Sequence, residues 1–181
     1  MNIELQFSKV FLFKFIVSLF LIGILNVTQT KAQQELYWYS FEEAIVIAES
    51  TNRPIFVDVW APWCGWCRKM KLDVYPALYG HFTEDFVLTR LNRDDNETSR
   101  LYKDRRITSM QLAKLLKTKT IPAIVILNSK GEYLLDLSGF MEIDQLDPIL
   151  KYISSKSYLN QTFEDFKGNI ISQGNYRPQG E

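Results

Sequence analysis

The chain has only two cysteines, and both lie in Trp63-Cys64-Gly65-Trp66-Cys67-Arg68-Lys69-Met70, with two residues between them. Directly upstream is an apolar run broken by one acid, Pro54-Ile55-Phe56-Val57-Asp58-Val59-Trp60. A strand that ends in a turn and opens a helix on C-x-x-C is the layout of a thiol–disulfide redox site. The helix start is the physical reason. Its unpaired backbone N–H groups and positive dipole end stabilise a thiolate on the first cysteine. The thiolate is the reactive form, so a lowered pKa makes Cys64 the candidate nucleophile. Cys67, one turn on, is the candidate to resolve the mixed disulfide that Cys64 forms.

Other uses of the pair are weaker. A structural disulfide across so few residues would constrain the unfolded chain little. A zinc site needs two more ligands, and the body offers only His81 and carboxylates. The reading is therefore redox exchange, with no metal and no cofactor beyond the Cys64–Cys67 pair.

Asp58 lies within an apolar strand, where burial raises the pKa of a carboxyl. A base tuned toward the working pH can take a proton in catalysis. A buried acid paired with Arg90 or Lys71 for stability is the alternative, and position alone does not separate the two. Trp60 reads as core packing. Trp63 and Trp66 read as an apolar rim where a partner docks, although a lone exposed Trp66 on a turn is also ordinary. His81 reads as structural or exposed, and Arg93-Asp94-Asp95-Asn96 as a solvated loop.

Ser40-Phe41-Glu42-Glu43 is a capping box and predicts a helix from about Phe41 to Ser50. Ile55 to Trp60 is too apolar for a half-exposed strand and predicts a buried one. Ala61-Pro62-Trp63 turns into the cysteine helix, which should extend toward Gly80 and bend at Pro76. Phe86 to Leu91 predicts a second strand. Two short helices are expected near Thr98–Lys103 and Met110–Lys117, then a third strand at Ala123–Leu127. Asn128-Ser129-Lys130-Gly131 is a turn that leads to an antiparallel strand at Glu132–Leu137. A helix over Asp144–Ser155 follows, then a short pattern at Thr162–Phe166 and a tail whose end is expected to be mobile. Long helical crossovers imply parallel pairing among the early strands. The result is an α/β chain with a mixed central sheet flanked by helices on both faces.

Bulk properties agree with one packed domain. The chain has 181 residues, 46% of them hydrophobic, with 12 Phe, 9 Tyr and 4 Trp. That suffices for a core without a structural disulfide. The 21 basic and 21 acidic side chains cancel, and no long one-sign block suggests a nucleic-acid or anionic-membrane footprint. At the N-terminus, Lys9 and Lys14 precede the apolar run Phe15 to Leu25, and Thr30 and Ala32 fit the small positions of a cleavage site after Ala32. Residues 1–32 therefore read as a secretory signal peptide, with an uncleaved membrane anchor as the alternative. The body would then be periplasmic or secreted, spanning 33–156, with 157–181 as a C-terminal extension.

The stretch from Val57 to Cys67 closely resembles the active-site segment of the thioredoxin superfamily. Arg90-Leu91-Asn92 resembles its Lys-Leu-Asn strand end, Thr120-Ile121-Pro122 its cis-proline segment, and Gly139 the glycine after its last strand. Trp38 before Phe-Glu-Glu-Ala, Arg68-Lys69-Met70 after the second cysteine, and an extra segment at about Leu101–Lys119 resemble exported members, SoxW-like or like the C-terminal domain of DsbD. The resemblance covers roughly Trp38 to Ser155. It implies the thioredoxin fold and a protein-disulfide reductase acting on exported proteins, with an oxidase, an isomerase or a non-catalytic binding module as alternatives. It implies that Asp58 exchanges a proton with Cys67. It also implies that Pro122 is cis and sets the Ile121 backbone beside Cys64, where a substrate chain would pair. Because there is no second cysteine pair, a membrane thiol reductant of the DsbD or CcdA type would supply electrons. Two departures from the pattern bear on tuning. Gly65-Trp66 stands where thioredoxin has Gly-Pro, and Arg90 stands where it has lysine, which has different geometry and can deprotonate.

Overall fold

The computed structural model describes residues 35–172. The leader or anchor expected over residues 1–32 and the end of the tail lie outside the described residues. Helix α1 (Phe41–Thr51) begins on the expected capping box, with Glu43 N–H donating to Ser40 Oγ and the Glu43 carboxylate accepting from Ser40 N–H. Strand β1 (Ile55–Trp60) follows, and then the cysteine helix α2 (Gly65–Lys69). The helical path continues through a wide π turn (Met70–Val74), a 3-10 turn (Pro76–Leu78) and α3 (Tyr79–Glu84). The remaining elements are β2 (Val87–Asn92), β3 (Ser99–Tyr102), β4 (Arg105–Thr108), α4 (Ser109–Leu115), β5 (Ala123–Leu127), β6 (Tyr133–Ser138), α5 (Ile143–Ser154) and α6 (Phe163–Ser172).

The central sheet has the order β2-β1-β5-β6. Strand β1 runs parallel to β2, with Asp58 opposite Arg90, and antiparallel to β5, with Val59 opposite Ala123. The expected parallel pairing thus holds for β1 and β2 only. Trp60 pairs with Asn92 and Val59 with Ala123, so β2 ends and β5 begins at one end of the sheet. The intervening chain starts and finishes at that end instead of crossing the sheet's length, which turns β5 around.

The expected helix at Thr98–Lys103 is instead half of a hairpin, β3 paired with β4. Arg100, Tyr102 and Ile107 turn toward the body while Ser99, Leu101 and Arg106 face out, a period of two that overrides the helical pattern. The turn residues Lys103 and Asp104 both take positive φ, 49° and 61°. Two-residue hairpin turns require that conformation and usually use glycine or asparagine for it.

The expected bend at Pro76 corresponds to a change of helical winding that begins before it, at the π turn Met70–Val74. Proline cannot donate to the carbonyl four residues back, and the chain absorbs the loss in the π turn, where Tyr75 N–H reaches Met70 O at 2.9 Å.

Strand alternation divides the core into two layers. Ile55, Val57 and Val59 pack with Phe41, Ala44 and Ala48 of α1 and Leu112 of α4. On the opposite face, Phe56 packs with Met70, Val74, Tyr75, Phe82 and Leu146. Asp58 shares the parity of Phe56 and so lies on the cysteine-helix side. The first part of the extension is ordered against α5, where Phe163 and Phe166 meet Tyr152 at 5.4 and 5.3 Å.

Candidate active site

The end of β1 delivers the chain to the turn Ala61–Trp63, and Cys64 caps α2. Its N–H donates to Ala61 O at 3.1 Å, and Arg68 N–H donates back to Cys64 O at 3.2 Å. The Cys67 N–H points at Cys64 Sγ, 3.1 Å away. That is the donor a thiolate on Cys64 would use, and a hydrogen bond to the ionised form favours it. The two sulfurs are joined in a disulfide with Cα atoms 5.3 Å apart. Both residues are buried, Cys64 at 6% exposure and Cys67 at 2%. A Cβ added at Gly65 would meet nothing within 4 Å, so sterics do not require glycine there.

Asp58 is buried on the same side of β1 and carries two donors. Tyr75 Oη–H donates to Oδ1 at 2.9 Å, and Arg90 Nε–H donates to Oδ2 at 2.8 Å. Burial pushes the Asp58 carboxyl up, against the charge and hydrogen bond of Arg90, the hydrogen bond of Tyr75 and the charge of Lys71, and the net direction is above the ordinary 3.8. The pairing with Arg90 is thus present, and the carboxyl is raised as a buried acid would be.

Arg90 is clamped. Its guanidinium lies 4.4 Å from the Trp60 ring centroid and 5.3 Å from that of Trp38. Desolvated cation–π contacts of this kind contribute on the order of 1–2 kcal/mol each. Trp60, expected as core packing, is half-buried and belongs to neither core layer. Its role is to cover the Arg90 cation, a partner thirty residues away in sequence that no local pattern announces.

Trp63 and Trp66 flank the cysteines at 68% and 60% exposure. Trp63 Nε1–H donates to Asp94 Oδ2 at 2.6 Å, so the loop expected to be merely solvated orients this ring. In the same loop Asp95 caps the next turn, accepting from Glu97 and Thr98 N–H. The Thr98 hydrogen bonds, side chain first, hold its carboxyl down at about 2. Trp66 lies 5.0 Å from the Phe140 ring. The Ile121–Pro122 peptide bond is cis. Pro122 is buried and Ile121 half-buried at the sheet end that also carries Cys64. Gly139, at φ 96°, donates its N–H to Pro122 O at 2.8 Å. His81 lies outside this cluster. It bridges Asp85 and Asp147 at 2.9 and 3.1 Å, tying α3 to α5.

Sequence reasoning did not find Tyr75 or assign Trp38 a role in the site. Tyr75 follows the π turn, so its direction depends on an irregularity in the helix. Trp38 precedes the first helix and reaches the site only through the fold. Among the described residues, no group of three or more His, Cys, Asp or Glu is placed to hold a metal.

A thioredoxin-like domain model matches residues 41–154. The thioredoxin of Porphyra purpurea is 30% identical over 116 residues, which cover 64% of this chain and 92% of that one. Among solved structures, a thioredoxin from Thermus thermophilus superposes with a TM-score of 0.55 at 19% identity, covering 81% of this chain and all of its own (100%). A thioredoxin-fold protein from Helicobacter pylori gives 0.54 at 18% identity over 67% of this chain and 82% of that one. The two structural likenesses speak to fold alone.

Proposed function

This chain belongs to the thioredoxin-like family, and from that premise we propose that it is an exported reductase of disulfides in other exported proteins. Its class of chemistry is thiol–disulfide oxidoreduction through Cys64 and Cys67. The observation that carries the reading is a cysteine pair at a helix start, with the Cys67 N–H on Cys64 Sγ, on the same face of β1 as a buried carboxyl whose pKa is raised.

In the reduced protein, the Cys64 thiolate attacks one sulfur of a client disulfide. A Cys64–client S–S bond forms, the client disulfide breaks, and the departing client thiolate takes a proton from solvent. Cys67 then gives its proton to the Asp58 carboxylate, and its sulfur attacks Cys64 Sγ. The second client sulfur leaves with the bonding pair and takes the proton back. The client gains two electrons and two protons, and Cys64–Cys67 becomes the disulfide. Trp63, Trp66 and the Ile121 backbone beside cis Pro122 receive the client, while Gly65 and Arg90 tune the pair.

Reduction is the direction favoured by Ile121 before Pro122 and by Gly65, both of which match thioredoxin. A membrane thiol reductant of the DsbD or CcdA type restores the dithiol. Export rests on the Lys9/Lys14, Phe15–Leu25 and Ala32 pattern. Mass spectrometry of the exported protein should place the mature N-terminus at Gln33; an intact terminus would indicate the anchor. Insulin reduction should proceed with the wild type and stop with Cys64→Ser, and equal rates would leave a binding module instead. A titration against glutathione should give a midpoint near or below about −250 mV, whereas one near about −120 mV would make the protein an oxidase.

A further inference from the structure

We infer that Tyr75 is a positioning residue of the exchange reaction, its hydroxyl holding the buried Asp58 carboxylate ready to take the Cys67 proton. The inference rests on the proton role of Asp58 proposed above.

Tyr75 is fully buried in an aromatic cluster, 5.6 Å from Phe56, 5.5 Å from Phe82 and 5.9 Å from Trp38 between ring centroids. Phe56, Phe82 and Phe86 fill the same layer without a polar atom, so packing alone is served by phenylalanine. The hydroxyl is the difference, and it is aimed at Asp58 Oδ1 at 2.9 Å. A buried hydroxyl without an acceptor would be costly, so the pair is built as a unit.

The two donors on Asp58 differ in kind. Arg90 brings a fixed charge on Oδ2. Tyr75 brings a neutral donor on Oδ1. Burial, then the Asp58 charge and hydrogen bond, push the phenol well above its ordinary 10, so it remains a donor throughout the working range. With one donor on each oxygen, the carboxyl is fixed in rotation, and each oxygen keeps a lone pair for a proton. The charged groups that bear on Asp58 are Arg90 from β2 and Lys71 from the π turn, and Tyr75 is its uncharged titratable partner; in the reduced protein Cys64 and Cys67 titrate as well.

Removing the Tyr75 hydroxyl withdraws a stabiliser of the Asp58 anion and leaves its burial unchanged. Asp58 should then hold its proton to higher pH. In Tyr75→Phe, the acidic limb of the pH–rate profile for insulin reduction should move up by about one pH unit, with a rate about tenfold lower on that limb and an unchanged plateau. In the Asp58→Asn background, Tyr75→Phe should change nothing further. Carboxyl 13C titration of Asp58 in the oxidised protein should show the same upward move without any turnover. An unmoved midpoint in both measurements, or a rate lowered equally at every pH, would overturn the positioning role. A wild type that fails to reduce insulin would sink the reductase reading instead, and the 13C titration would still judge Tyr75.

Discussion

Two carboxylates in this molecule, Asp58 and Asp147, each hold two side-chain donors and are tuned in opposite directions. Each accepts from a cationic or ring donor and from a second hydrogen-bonding side chain. Asp58, buried in the sheet with Arg90 and Tyr75, is pushed up. Asp147, 18% exposed between His81 and Lys151, feels a burial that pushes it up, but the hydrogen bonds and charges of His81 and Lys151 outweigh that and hold it below 3.8. Asp147 has two basic donors where Asp58 has one cation and a neutral phenol, and Asp58 has lost more of its water. Complete desolvation can exceed the attraction of one cation, whereas at a partly wetted site the attraction wins. The same chemistry thus gives a raised carboxyl beside the cysteine helix and a lowered one clamped between helices.

The sharpest way to break this contrast is to neutralise each acid in turn. Asp58→Asn should slow disulfide exchange about a hundredfold near neutral pH, the scale of a lost general base. Asp147→Asn should leave the rate within about twofold of wild type. Stability should respond in the opposite sense. A carboxyl whose folded pKa lies above its unfolded 3.8 weakens the fold as pH rises from that value to the folded one, and the loss is complete above it. Asp58→Asn relieves this loss, so its melting temperature should exceed that of the wild type at pH 7 and match it near pH 3.5. A lower melting temperature at pH 7 would mean that the Arg90 pair outweighs the desolvation of Asp58, and the acid would be structural after all.

The sequence reveals the acid of this contrast better than its surroundings. Ile55–Trp60 is legible as a buried strand because five of its six residues are apolar, and Asp58 stands out as the exception. The cysteine helix and the capping box of α1 follow from local rules that hold in isolation. Tyr75 is not legible. Its place opposite Asp58 depends on the π turn that Pro76 imposes, and a helix continued at the regular pitch would point it elsewhere. The cover over Arg90 is equally hidden, because Trp38 and Trp60 meet the guanidinium only after β1 and β2 pair. The hairpin Ser99–Thr108 is missed for a chemical reason: its turn is Lys103-Asp104, without the glycine that marks such turns. Local chemistry is readable where neighbours in sequence supply the partners, and it is lost where strand pairing supplies them.

The smallest effect expected is the pH dependence of the clamp. Asp147→Asn removes the negative charge facing His81 Nε2 and Lys151 Nζ, 3.1 and 2.8 Å away, and leaves one acceptor oxygen for the two donors. At partly exposed sites such bonds contribute about 1 kcal/mol in total. The Asp147 hydrogen bond, ahead of a smaller opposing burial and the Asp85 bond, holds His81 above 6.5. A raised histidine stabilises the fold fully below its unfolded 6.5, and that contribution is lost as pH climbs through the folded value. Asp147, held below 3.8, contributes above that value and loses its contribution as pH falls through its own folded pKa. The clamp is therefore strongest between about pH 4 and 6.5. Melting curves of wild type and Asp147→Asn should differ most near pH 5.5 and converge by pH 8.5 to the residue that Lys151 alone sustains. A difference that stays constant between those two values would remove His81 from the clamp and assign the whole contribution to the Lys151 pair.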